Sequence, residues 1–140
     1  MVDISHEIKI KAVPDQIFAA LTTADELKAW HSSHVSGQAQ LGGVLHIEGS
    51  GRPRFDWKVT ELSPPKRVGW LCTAGPGDSA GTTVLFELSP ADQGRTLVVC
   101  THAGWPGIHG NYRKCNTLWG VLLHHLKQYV ETGKAAPAFP

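Results

Sequence analysis

The sequence predicts an α+β fold in which a curved antiparallel sheet of six or seven strands wraps a long C-terminal α-helix, with two short helices after the first strand. Three observations lead there. The chain opens on strict two-residue alternation, runs through strand-like segments separated by turn residues, and closes on an apolar stripe at three- and four-residue steps.

In the opening segment Ile4, His6, Ile8 and Ile10 share one parity and Ser5, Glu7, Lys9 and Lys11 the other, the pattern of a half-buried strand. Pro14 ends it and suits the first turn of a helix, in which Ile17, Phe18 and Leu21 fall at helical spacing. Thr23 or Asp25 then serves as N-cap for a second short helix carrying Leu27 and Trp30, before the chain turns polar at His31-Ser32-Ser33-His34. Strand-like runs follow at Val44 to Glu48, Phe55 to Leu62, Arg67 to Thr73, Thr82 to Leu88 and Arg95 to His102. Their boundaries are turn residues: Gly42-Gly43, Gly49-Ser50-Gly51, Ser63-Pro64-Pro65-Lys66, Gly75 to Gly81 and Asp92-Gln93-Gly94. No helix is available between these runs for a parallel crossover, so they form an antiparallel meander.

After "THAGWPGIHG" (Thr101 to Gly110), Tyr112, Cys115, Trp119, Leu122, Leu126 and Tyr129 mark a long helix with Asn111 as N-cap; Leu118, Leu123 and Val130 widen its stripe. Gly133 and Pro137 end it. One domain is expected over residues 1–134, with 135–140 as a flexible C-terminal tail. A twisted sheet curling around one helix fills its middle better than its ends, so a cavity between helix and sheet is expected.

At 140 residues and 41% hydrophobic content the chain is the size of one domain. A formal charge of +1 without blocks of like sign leaves no electrostatic footprint for nucleic acid or an anionic membrane. The N-terminus does not read as a signal peptide and no apolar run reaches roughly 18 residues, so the expected location is cytoplasmic, without integral membrane association. Cys72, Cys100 and Cys115 are odd in number and lack CxxC spacing; they read as buried free thiols.

"IKIKAVPDQIFAALTTADELKAWH" (Ile8 to His31), "LGG" (Leu41 to Gly43), "VTELSPPKRVGWL" (Val59 to Leu71), "TTVLFELSP" (Thr82 to Pro90) and "THAGW" before a C-terminal helix resemble the START/SRPBCC helix-grip superfamily, in the polyketide cyclase/dehydrase-like clan. Within it the pattern is similar to the C-terminal domain of the activator of heat-shock protein 90 ATPase. The resemblance implies a helix-grip fold; its members include lipid carriers, cyclases, receptors and a co-chaperone domain, so it implies no single reaction.

The resemblance also implies that Thr96, Val98, Cys100 and His102 look inward. His102, the candidate catalytic residue, would then sit near the cavity, where an imidazole can contact a ligand or move a proton. No second acid or base lies beside it in sequence, and ligand contact outweighs catalysis. Cys100 lies two residues away on one strand face, roughly 7 Å at 3.3 Å per residue, which is too far for a direct Cys/His pair. No metal is expected: His31 with His34, and His124 with His125, are incomplete ligand sets. Ser50 lacks a hydrolase or phosphate-loop context and reads as a turn, while Asp56 and Glu61, beside Arg54 and Lys58, read as surface ion pairs.

Aromatic residues concentrate where the cavity should lie. Trp30, Phe55, Trp57, Trp70, Phe86 and Trp119 form the candidate walls, with Cys100 beside them, His102 and Tyr112 as polar anchors and Trp105 as a candidate lid. The leading expectation is a binding domain for a hydrophobic or aromatic small molecule, without a cofactor. A cyclase or dehydratase using His102 is the second reading. A chaperone or regulatory protein-interaction domain, with a homodimer or protein partner, is the third.

Overall fold

The computed structural model describes residues 1–49 and 51–140. Ser50 and its expected turn lie outside the described residues.

The alternating segment forms strand β1 (Val2–Ile10), with Ile4 and Ile10 fully buried. Helices α1 (Pro14–Thr22) and α2 (Ala24–Trp30) follow; Pro14 opens the first, and Thr23 takes the N-cap position of the second without a side-chain cap. The meander comprises β2 (His34–Gly37), β3 (Val44–Glu48), β4 (Phe55–Ser63), β5 (Arg67–Ala74), β6 (Thr83–Pro90) and β7 (Thr96–Trp105), and α3 (Asn111–Thr132) closes the fold. The strands form one sheet in the order β1-β7-β6-β5-β4-β3-β2, with antiparallel neighbours throughout. The inward parities coincide across it: His102 faces Ile4 on β1 and Val84 on β6, and Trp70 lies between Val59 and Val84.

Helix α3 lays Cys115, Trp119, Leu122, Leu123 and Leu126 against the concave face. Gly133, in the left-handed region at φ 73°, caps its end by donating to the Tyr129 carbonyl at 2.7 Å. At 1.5 Å per residue the 22 residues of the helix span about 33 Å. Outside the sheet, Asp56 pairs with His46 and Arg54, and Glu61 pairs with Arg67 rather than with Lys58.

Four local expectations are corrected. A strand, β2, starts at His34, inside the segment read as a polar turn; with only Val35 buried, it is too short and too polar to announce itself. Strand β7 runs past Ala103-Gly104 to Trp105, because Gly104 adopts φ 89° where the β1 register shifts and the ladder continues beyond it. The N-cap of α3 is Gly110; the Asn111 side chain instead donates to the Pro76 carbonyl and to Ser79 Oγ, holding the β5–β6 loop.

The fourth correction is the tail, which is docked, not loose. Ala136, Ala138 and Phe139 donate backbone hydrogen bonds to the carbonyls of Ala29, Trp30 and His31, and Ser33 returns one to Phe139 at 3.0 Å. Satisfying four main-chain groups at the end of α2 holds the segment, and the His125 imidazole binds the Ala136 carbonyl from α3.

Candidate functional site

Between the β3–β4 end of the sheet and the first half of α3 lies a cavity of about 840 Å³. Its walls are largely apolar: Ile47 and Trp57 from the sheet, Leu118, Trp119 and Leu122 from the helix, and Phe139 from the tail. Phe55 stacks flat on Trp57 at the rim, ring centroids 5.6 Å apart and planes 4° from parallel. The volume suits a drug-sized molecule.

His102 sits at the base, 1% exposed. Its hydrogen bonds fix its chemistry. The Trp119 indole N–H donates to His102 Nδ1 at 3.0 Å, so that nitrogen must be the acceptor. The Thr82 hydroxyl gives its one proton to the Ser79 carbonyl at 2.6 Å, so Thr82 Oγ1 accepts from His102 Nε2–H at 2.7 Å. The two constraints agree on one neutral tautomer with both ring nitrogens engaged. Burial holds this imidazole down at about 4, well below its ordinary 6.5. It therefore presents ring carbon edges, and no free nitrogen, to the cavity.

The aromatic residues arrange themselves around this histidine in shells. Trp105 packs on the ring at 4.7 Å, and Trp57 and Trp119 approach it edge-on at 5.6 and 6.1 Å. Trp70 touches Trp57 and Phe86, and Phe86 reaches Trp119, forming a layer beneath the cavity wall.

Of the residues expected at the site, Phe55, Trp57, His102 and Trp119 line the cavity together. Trp70, Phe86 and Cys100 are buried behind them, supporting the wall. Trp30 is core: its indole N–H donates to the Ala20 carbonyl at 2.9 Å, tying α2 to α1. Trp105 is not a lid, being fully buried against His102. Tyr112 is no anchor; it stands edge-on to Trp105, away from the cavity lining, and its hydroxyl donates to the Asp3 carbonyl at 3.4 Å.

Several lining residues were absent from the expected site. Cys115 joins Leu118 and Leu122 on the lining side of α3, where the helical stripe already placed them. His31 and Phe139 meet at the far wall with ring centroids 5.9 Å apart. His31 is 7% exposed, its Nδ1 has no partner among the described residues, and burial lowers it to about 4. A histidine just after an apolar helix end was the only signal for it; nothing in the sequence marked Phe139.

The thiols are unsuited to nucleophilic work. Burial pushes Cys72 up to about 11, Cys115 to about 12 and Cys100 higher still, and neither nitrogen of His102 is left for a thiol. Among the described residues no three His, Cys, Asp or Glu side chains converge on a metal position. Among the described residues no helix is long and apolar enough to cross a membrane.

The sequence profile described as "Activator of Hsp90 ATPase homolog 1-like protein" matches residues 11–131. The solution structure of the Aha1 dimer from Colwellia psychrerythraea is 38% identical, with a TM-score of 0.87, and the match covers 96% of this chain and 100% of that one. CalU16 from Micromonospora echinospora shares the fold at 18% identity and a TM-score of 0.75, over 96% of this chain and 76% of that one. MLL2253 from Mesorhizobium loti does so at 19% identity and 0.80, over 93% and 97%. No curated protein gives a significant match. With the helix-grip architecture, the profile match over most of its length and a full-length relative in agreement, the chain belongs to the Activator of Hsp90 ATPase homolog 1-like family of the SRPBCC superfamily.

Proposed function

We propose that this domain binds a hydrophobic or aromatic small molecule in the cavity between sheet and helix. The observation that carries the reading is an apolar cavity of about 840 Å³ whose one deeply buried imidazole at the base has both nitrogens engaged. Such a site can hold a ligand by burial and aromatic contact. It offers no free base at His102, which argues against the cyclase or dehydratase reading at that residue.

Leu118 lines the cavity from a partly exposed position on α3, so an indole there fills space with little strain elsewhere. Native mass spectrometry of the purified protein, with a thermal-shift screen of lipids and aromatics, should find ligands for the unaltered protein and lose them in Leu118→Trp. Ligands that bind both forms equally would place binding outside the cavity.

A second reading, a homodimeric or regulatory protein-interaction domain, draws support from the dimeric Colwellia relative. Light scattering across a concentration series tests it; a strict monomer would remove that support.

A further inference from the structure

Resting on the cavity-binding reading, we infer that the ligand is an amphipathic anion, with its apolar body between Trp57 and Trp119 and its acidic head at the cavity mouth. The mouth lies between the β3–β4 hairpin, which carries Glu48 and Arg52, and the opening turns of α3, which carry Arg113 and Lys114. All four residues line the cavity. Three cations against one carboxylate leave a formal excess of two positive charges at this opening, whereas the entire chain carries only +1.

The three cations are not neutralised by ion pairs among the described residues. Among the described residues Arg52, Arg113 and Lys114 have no carboxylate partner, as is also true of Lys11, Lys58, Lys66 and Lys134, but only these three line the cavity. Arg52 lies over the Phe139 ring at 4.6 Å, which holds its guanidinium at the rim and leaves its N–H groups for an acceptor. Arg113 Nε donates to the Ile108 carbonyl, which anchors the side chain while its charge stays uncompensated. The Asp78 carboxylate lies where a Cβ on Gly110 would meet it at 3.5 Å, at the start of α3, and Asp78 is not among the lining residues.

Inside, the walls are poorly suited to a charge: the buried imidazoles of His102 and His31 are held neutral, and apart from Asn111, Cys115 and Thr117 the remaining surface is mainly aromatic and aliphatic. A carboxylate, sulfonate or phosphate is therefore stable only at the rim, where it gains the three cations. This polarity orients the ligand with its head outward, and a cationic or uncharged amphiphile of the same shape gains nothing there.

The test compares two fluorescent probes differing by one group, anilinonaphthalene sulfonate and its uncharged counterpart phenylnaphthylamine. Titrated into the full chain at low salt, the sulfonate should bind about tenfold tighter, the scale of one well-placed charge contact. Raising the salt should narrow that gap. Arg113→Glu combined with Lys114→Glu, both exposed positions, should abolish it while phenylnaphthylamine binding holds. Equal affinity for both probes, or a gap unmoved by the charge reversal, would overturn the anionic assignment and leave the apolar cavity reading standing. Binding of neither probe would overturn both.

Discussion

At the residue scale the centre of gravity is His102. Strand alternation put it on one face with Thr96, Val98 and Cys100, and the family resemblance implied that this face looks inward. What the sequence could not supply was its partners. Thr82 and Trp119 are 20 and 17 residues distant and meet the ring only because β6, which Thr82 precedes, pairs with β7 and α3 brings Trp119 to the same histidine. A buried neutral imidazole has a measurable consequence. Unfolded histidines take a proton near 6.5, whereas folded His102 and His31 do so only near 4. The unfolded chain therefore binds more protons within that window, and stability present at neutral pH is lost as the pH falls from about 6.5 to about 4. The loss is on the order of 3 kcal/mol for each histidine. Denaturant unfolding across this range should show the slope of about two protons, and His102→Gln should reduce it by about one. A slope unaffected by the substitution would mean that His102 is solvated or already charged in the folded protein.

At the element scale the strands and α3 were readable, since their apolar residues recur at the period of the backbone itself. The exceptions are segments whose structure comes from distant partners. Strand β2 exists because β3 offers it an edge, and the tail is held by the end of α2, more than a hundred residues earlier. The tail has its own packing requirement at Gly49. A Cβ built there would stand 2.5 Å from Phe139 Cβ, closer than any real contact, so a side chain at Gly49 must displace the tail. Gly49→Ala should then cost about 1–2 kcal/mol, the range for overpacking a well-fitted contact. In a Phe139→Gly background, which removes the opposing Cβ, the same substitution should cost almost nothing. The difference between the two backgrounds in a double-mutant cycle measures the tail contact directly; additive costs would show that the tail does not seat against the hairpin.

At the scale of the whole molecule, the grip is solid at one end and hollow at the other. The helices α1 and α2 cover one part of the concave face, and Ile17, Leu21, Leu27 and Leu126 are fully buried there. Toward the β3–β4 hairpin α3 faces Ile47 and Trp57 across the cavity. The sequence implied a void because one helix cannot fill a curled sheet, but its position depended on which end the short helices occupy, a matter of packing. Leu122 and Leu126 allow a like-for-like test: the same side chain one turn apart on α3, 4% and 0% exposed, with only Leu122 lining the cavity. Leu126→Ala opens a new hole in close-packed surroundings and should cost about 3–5 kcal/mol, the upper range for such truncations. Leu122→Ala enlarges a space that already exists, forfeits fewer contacts, and should cost about 1–2 kcal/mol. Chemical denaturation of both variants without ligand gives the comparison. Adding the sulfonate probe at saturation should then widen the cost of Leu122→Ala, because the bound aromatic ring supplies the partner atoms that Leu122 otherwise lacks. Equal costs for the two leucines would mean that the core closes up around α3, and the case for a resident small molecule would fall with the cavity.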